Sequence, residues 1–308
     1  MPTIRNVLRV LAAASIPAAV MVARNRRDHD LSAVASLGVA CSVPLAAYAV
    51  LPAGRVRGAG VWAAQMWAYK IAFEVPYDRP ERLRARLRID EPIRFDTRIG
   101  LGTPPGQRLQ RALRRPPRLT TLDRAVTAVY GAWLIEPHAA MAWLLWRHPE
   151  RFASAAARVG ATIDLTLIGY FAVPTAPPWW ASEREGRLGH DVRRVVDEVR
   201  KDLRGEPRPG SDHNSGVNPW AAMPSDHFAS ALAVAAVLAE ADPRAGIAGG
   251  AYAGLLGLSL VYAGEHYVAD LLAGLALTEG VRRLAPVAGP RLERAARLVQ
   301  AIEARAHA

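Results

Sequence analysis

The chain has 308 residues, 51% of them hydrophobic, and a mean hydropathy of only +0.05. That length suits two soluble domains or one polytopic membrane domain. The net charge of +11 is nearly all arginine, with Lys70 and Lys201 the only lysines; because it flanks apolar runs, it points to anionic lipid head groups and membrane orientation, not to nucleic acid. Cys41 is the only cysteine, which excludes an intrachain disulfide and a structural zinc site built on cysteines.

A spanning helix needs about 20 mostly apolar residues. Residues 7–23 are apolar but broken by Arg9 and Pro17. They read as an uncleaved interfacial or membrane helix in preference to a signal-like segment. Residues 31–53 contain no charge and form the first clear span. Residues 58–73 are weaker, with Lys70 near the end. Further spans are expected over 122–146, with Glu136-Pro137-His138 in the middle, and over 153–173, carrying Arg158 and Asp164. The last three are 221–239, 245–263 and 267–285. Residues 76–120 hold twelve arginines and several prolines. Their "RPERLRARLRIDEP" predicts a short basic amphipathic helix on the head-group surface. In "PTAPPWW" the prolines end the preceding helix, and Trp179 and Trp180 suit a membrane interface.

The expected fold is all-α: a polytopic membrane bundle with a six-helix core and an interfacial basic segment. Four parts follow. Residues 1–30 are an N-terminal helix and basic linker, 31–146 N-terminal membrane helices enclosing the basic segment, 147–286 a catalytic membrane core, and 287–308 a basic helical tail.

Three polar clusters interrupt the apolar pattern. The first is "KDLRGEPRP", with Lys201 and Arg208; the second is "PSDH", from Pro224 to His227; the third is "GEHYVAD", with His266 and Asp270. The helix pair 221–239 and 245–263, joined by a short turn at Pro243-Arg244, returns the chain to the face it left. All three clusters therefore gather at one membrane surface. Lys201 and Arg208 suit phosphate oxygens. Ser225 can donate a hydrogen bond, and the N–H groups of residues 225–227 open a helix, a natural anion site. Two histidines provide a nucleophile and a general acid. Asp270, four residues after His266, can hold one ring nitrogen and leave the other free to attack. This set points to phosphoryl transfer through a phosphohistidine, with no metal and no cofactor.

The order and spacing resemble the type 2 phosphatidic acid phosphatase superfamily, whose motifs are K-x6-R-P, P-S-G-H and S-R-x5-H-x3-D. Lys201, Arg208 and Pro209 match the first; Pro224, Ser225 and His227 match the second, with Asp226 in place of glycine; Ser259, His266 and Asp270 match the third, with Leu260 in place of arginine. "PTAPPWW" and "EHYVAD" look more like the branch that includes fungal inositol phosphorylceramide synthases, where that arginine can also be absent. The resemblance implies His266 as nucleophile, Asp270 as its partner, His227 as acid to the leaving group, and Lys201, Arg208 and Ser225 as phosphate holders. Asp226 beside an anion site weakens phosphate binding unless it points away or pairs with an arginine; it can instead orient a hydroxyl acceptor or a cationic group.

The implied activity is a lipid phosphatase acting on a membrane lipid phosphate or polyprenyl phosphate. A head-group phosphotransferase with a polyol or sugar acceptor is the alternative, and a non-catalytic lipid-binding protein of the same fold is the competing class. Asp212 and His213 read as loop residues, with His213 a candidate neighbour of the site. Glu265 reads as a solvated neighbour. Glu136 and His138, ionisable groups within a membrane run, read as a kinked helix with a satisfied buried pair slightly ahead of a functional site. The arginine distribution predicts an active face in the cytoplasm, and the expected location is a bacterial plasma membrane.

Overall fold

The computed structural model describes residues 4–206 and 218–305. Among these, the uncharged runs and the arginine-rich stretches separate into helices of two lengths, with no strand. The long helices are α1 (Ile4–Arg24), α2 (Ala33–Val50), α3 (Arg55–Glu74), α9 (Pro149–Ala172), α13 (Pro243–Tyr262) and α14 (Val268–Arg305). Helices α2, α9 and α13 are long and apolar enough to cross a membrane. They leave Leu45, Ile168, Ile247 and Leu258 exposed, which is costly in water and neutral against lipid tails. The chain is thus an all-α membrane bundle.

Shorter helices fill the connections: α4 (Pro80–Arg84), α5 (Asp90–Ile99), α6 (Pro105–Leu113), α7 (Thr121–Ala132), α8 (Glu136–Arg147), α10 (Pro178–Glu183), α11 (Val195–Arg204) and α12 (Asp226–Ala241). Helices α3, α8, α9 and α12 enclose one apolar core around Met141, Leu144, Val159 and Val234.

Several expectations are corrected. The run 122–146 is two helices, broken at 133–135. Pro137, in the first turn of α8, has no N–H to continue the ladder and its ring crowds the carbonyl four residues back. Glu136 does not pair with His138. The indole N–H of Trp62 donates to His138 Nδ1 at 3.1 Å, and both Glu136 oxygens lack a partner among the described residues. The basic amphipathic helix splits into α4 and α5 because tertiary backbone bonds take over between them: Arg88 N–H donates to Pro174 O at 2.8 Å, and Ala176 N–H to Arg88 O at 3.0 Å. Trp179 and Trp180 are buried within the protein, where Trp180 packs edge-on against Trp220 at 5.5 Å. The tail is a continuation of α14, which runs through Pro286 and Pro290.

The basic linker after α1 is tied to the end of α3. Arg26 is buried and reaches Asp78 at 2.7 Å and Glu74 at 3.1 Å, while Arg27 reaches Asp78 at 2.6 Å.

Candidate active site

The second and third polar clusters meet at the start of two helices. Ser225 caps α12, its Oγ accepting the N–H of Phe228 at 3.3 Å. Its own N–H donates to the carbonyl of Asp270 at 3.0 Å, which ties the start of α12 to the first turn of α14. Gly274, one turn further, lies against the Ser225 carbonyl so closely that a Cβ would stand 2.9 Å from that oxygen. The turn into α14 needs Gly264, whose φ of +76° is strained for other residues and whose Cβ would meet Arg193 O at 2.8 Å. Asp96 of α5 completes the assembly. Its carboxylate accepts the N–H groups of Val268 at 2.9 Å and Ala269 at 3.0 Å, the first donors of α14. Burial pushes the Asp96 carboxyl up, and those two N–H groups pull it back.

Held in this way, the two histidines face each other. His266 Nε2 lies 3.4 Å from His227 Nδ1, and His266 Nδ1 lies 3.3 Å from Asp270 Oδ2. Asp270 is fully buried and the same oxygen also accepts the Tyr267 N–H at 2.8 Å. Because α14 starts at Val268, His266 stands just outside the helix and Asp270 reaches back across the first turn. His227 packs against two aromatic rings near the end of α7: Trp133 at 4.1 Å and Tyr130 at 5.0 Å between centroids. Trp133 is fixed by its N–H, which donates to Ser230 Oγ at 2.8 Å.

Both histidines border a cavity of about 450 Å³. Its wall carries His227, His266, Asp226, Arg194 and Glu265, and also Lys70, Glu74, His138 and Asn218; most of the remaining lining is apolar or aromatic, such as Met66, Phe73, Ile163 and Trp179. This lining accepts a molecule with one charged end and an apolar body. Its polar groups can hold an imidazole in one orientation, move a proton to or from a second imidazole, and balance negative charge on a guanidinium.

The remaining predicted residues are placed differently. Lys201 is on α11, buried, with its Nζ 3.3 Å from Asp197 Oδ2, and it does not line the cavity. Ser225 does not line it either. Arg208, Pro209, Asp212 and His213 lie outside the described residues. Leu260 is fully buried in an apolar cluster with Ala231, Ala253 and Leu256. Asp226 borders the cavity and pairs with no arginine among the described residues; the hydroxyl of Tyr69 donates to its Oδ2 at 2.7 Å. Glu265 is not solvated. It is buried, and Arg194 Nε reaches it at 2.9 Å.

Arg194 is the main residue that sequence reasoning passed over. Its guanidinium lies 4.6 Å from the Trp179 ring, its N–H donates to Glu183 Oε1 at 3.1 Å, and Val195 N–H bonds Ala263 O at 3.2 Å, beside the loop that carries His266. Within "DVRRVVDEVR" nothing distinguishes it from its neighbours; only the fold does. Tyr69, Asp96 and Trp133 were missed for the same reason, each being far in sequence from what it touches.

The family model for the PAP2 superfamily matches residues 93–282. No curated protein and no solved structure matches the chain.

Proposed function

The chain belongs to the PAP2 superfamily, and from that premise we propose that it cleaves or transfers the phosphoryl group of a membrane lipid phosphate through a phosphohistidine. The line Asp270–His266–His227, with both histidines on the wall of a largely apolar cavity, carries the reading. Asp270 keeps the Nδ1 proton of His266, so the Nε2 lone pair attacks phosphorus. The ester P–O bond breaks as the N–P bond forms, and His227 gives its proton to the departing lipid oxygen. A water or alcohol oxygen then attacks phosphorus, its proton passes to His227, and the N–P electrons return to His266. Arg194, paired with Glu265, offers guanidinium N–H donors at the cavity wall, beside the phosphate-holding roles that the motifs give Lys201, Arg208 and Ser225. The apolar body of the cavity favours a lipid phosphate or polyprenyl phosphate over a soluble ester, and the third-motif departure at Leu260 favours the inositol phosphorylceramide synthase-like branch. The chemistry is metal-independent in this reading.

The decisive test is a phosphate-release assay on the full chain in detergent, with dioleoyl phosphatidic acid and farnesyl phosphate as donors, with and without EDTA. Turnover that survives EDTA is expected. No release and no transfer from either donor sinks the reading, and recovery of lost activity by magnesium sinks its metal independence.

The active face belongs in the cytoplasm in this reading. The arginine bias supports it: Arg26 pairs with Glu74, which lines the cavity, and Arg27 pairs with Asp78 just beyond it. In a Cys41→Ser background, an impermeant thiol reagent applied to intact cells should spare Ser211→Cys and label Ala241→Cys. The reverse pattern places the site outside.

A further inference from the structure

Three tyrosines line the cavity, and two of them spend their hydroxyls on the protein. Tyr69 donates to Asp226 at 2.7 Å, and Tyr170 to the carbonyl of Pro224 at 3.0 Å. The Tyr130 hydroxyl makes no hydrogen bond among the described residues, and it is not among the polar atoms sealed inside the protein. Its ring lies against His227, 5.0 Å between centroids. The arginines of 193–204 divide in the same way. Arg193 pairs with Glu198 at 3.1 Å, Arg194 with Glu265 at 2.9 Å and Arg204 with Glu206 at 2.6 Å. Arg200 is exposed and pairs with no carboxylate among the described residues; its guanidinium lies 5.6 Å from the centre of the Tyr130 ring. Lys201, the next residue on α11, is buried toward Asp197 instead. Arg194 and Arg200 are the two guanidinium groups whose charge reaches both the Tyr130 hydroxyl and His227.

The chemistry of the missing partner follows. At neutral pH a phenol keeps its proton and a guanidinium its charge, so Tyr130 and Arg200 are both donors. The one carboxylate whose charge reaches Tyr130 is Glu265, and Arg194 occupies both of its oxygens, at 2.9 and 3.4 Å. Unmet donors, one of them charged, beside an already neutralised acid call for an anion with several oxygens. An ammonium is repelled by Arg200, and a neutral alcohol leaves its charge unanswered.

We infer that Tyr130 and Arg200 are phosphate-holding residues: the Tyr130 hydroxyl donates to one nonbridging oxygen of the phosphoryl group passing to His266, and Arg200, at the edge of the same ring, pairs with another. The inference rests on the phosphohistidine reading above. The nonbridging oxygens stay charged while the ester P–O bond breaks and the N–P bond forms, and again when the N–P bond breaks, so both groups act in each half of the reaction. This grip comes from α7 and α11. Position 260, a leucine buried among apolar side chains, takes no part in it.

The test reads binding and turnover separately. Equilibrium dialysis measures the affinity of the full chain in detergent for ³²P-labelled inorganic phosphate, and phosphate release is followed from dioleoyl phosphatidic acid and from p-nitrophenyl phosphate. Tyr130→Phe keeps the ring against His227 and removes only the hydroxyl. Tyr130→Phe and Arg200→Gln should each weaken phosphate binding about tenfold and lower kcat/KM by at least the same factor on both substrates, with Arg200→Lys recovering part of the loss. Arg204→Gln, on the same helix and paired with Glu206, should change neither quantity. An affinity is independent of the fraction of protein that folds, so partial misfolding does not imitate the result. Phosphate affinity within twofold of the unaltered protein in either Tyr130→Phe or Arg200→Gln overturns the site, and continued turnover then leaves the phosphohistidine reading standing. A loss confined to phosphatidic acid assigns the two groups to the leaving oxygen and also overturns the site. Phosphate binding that weakens as expected in a protein that turns over neither substrate supports the anion site and overturns the reading; no binding and no turnover overturns both.

Discussion

The two walls of the cavity are built on different principles. The wall formed by the starts of α12 and α14 is held by backbone: Ser225 N–H to Asp270 O, Asp96 on the N–H groups of Val268 and Ala269, and Gly264 in a conformation that favours glycine. The opposite wall, from α3, α7, α8 and α9, is held by side-chain packing, as in the edge-on contact of Phe73 with Tyr170 at 5.5 Å. A phosphoryl centre needs atoms placed to a few tenths of an ångström, and backbone bonds supply that placement. A lipid body needs only shape and apolar surface, which packing supplies and substitution can alter. Changes on the first wall should therefore reduce turnover, and changes on the second should alter which substrate binds.

The largest effect is expected at Asp270. Asp270→Asn leaves the volume unchanged but lets His266 take the wrong tautomer, so kcat should fall about 10³–10⁴-fold with KM little changed; a fall under tenfold removes Asp270 from its orienting role. Next is His227. In a single-turnover measurement, His227→Gln should slow the departure of an alkyl lipid oxygen about 10²–10⁴-fold, and that of an aryl leaving group, which needs no proton, far less. Equal losses on both substrates contradict the acid role.

Asp96 is a positioning residue, and its loss should be smaller. Asp96→Asn keeps one acceptor and loses the charge at the start of α14, at a cost of about 1 kcal/mol in stability. Its distinguishing signature is a kcat reduced about tenfold at an unchanged KM, since the lipid body binds elsewhere. A loss of stability with normal kcat reduces Asp96 to a cap alone. The smallest effect belongs to the other wall: Phe73→Ala should raise KM for a long-chain lipid phosphate about three- to tenfold and leave a short-chain substrate nearly untouched. A fall in kcat for both chain lengths would erase the distinction between the walls.

Much of the first wall is legible in the sequence, because its determinants are local. Ser225 sits where an N-cap must sit, and His266 and Asp270 are close enough in sequence to meet across one turn. The helix pair α12–α13 returns the chain to one face, which brings the second and third clusters together. The second wall is not legible. Tyr69 meets Asp226 across 157 residues, and Trp133 meets Ser230 across 97; no periodicity encodes such contacts. Glu265 misleads for a related reason: its solvent-like appearance depends on not seeing Arg194, 71 residues earlier. The break between α7 and α8 is half legible. Pro137 announces it, but the absence of a Glu136–His138 pair depends on Trp62 taking the histidine.

The central claim is that His266 carries the phosphoryl group, and trapping that group tests it most directly. The full chain is mixed with ³²P-labelled phosphatidic acid, quenched within milliseconds in alkali, digested and mapped. The account predicts label that survives base, is lost in acid, and lies on the peptide containing His266, with more label in His227→Gln if the second step slows most, and none in His266→Ala. Label on any other residue, or undiminished turnover by His266→Ala, contradicts it.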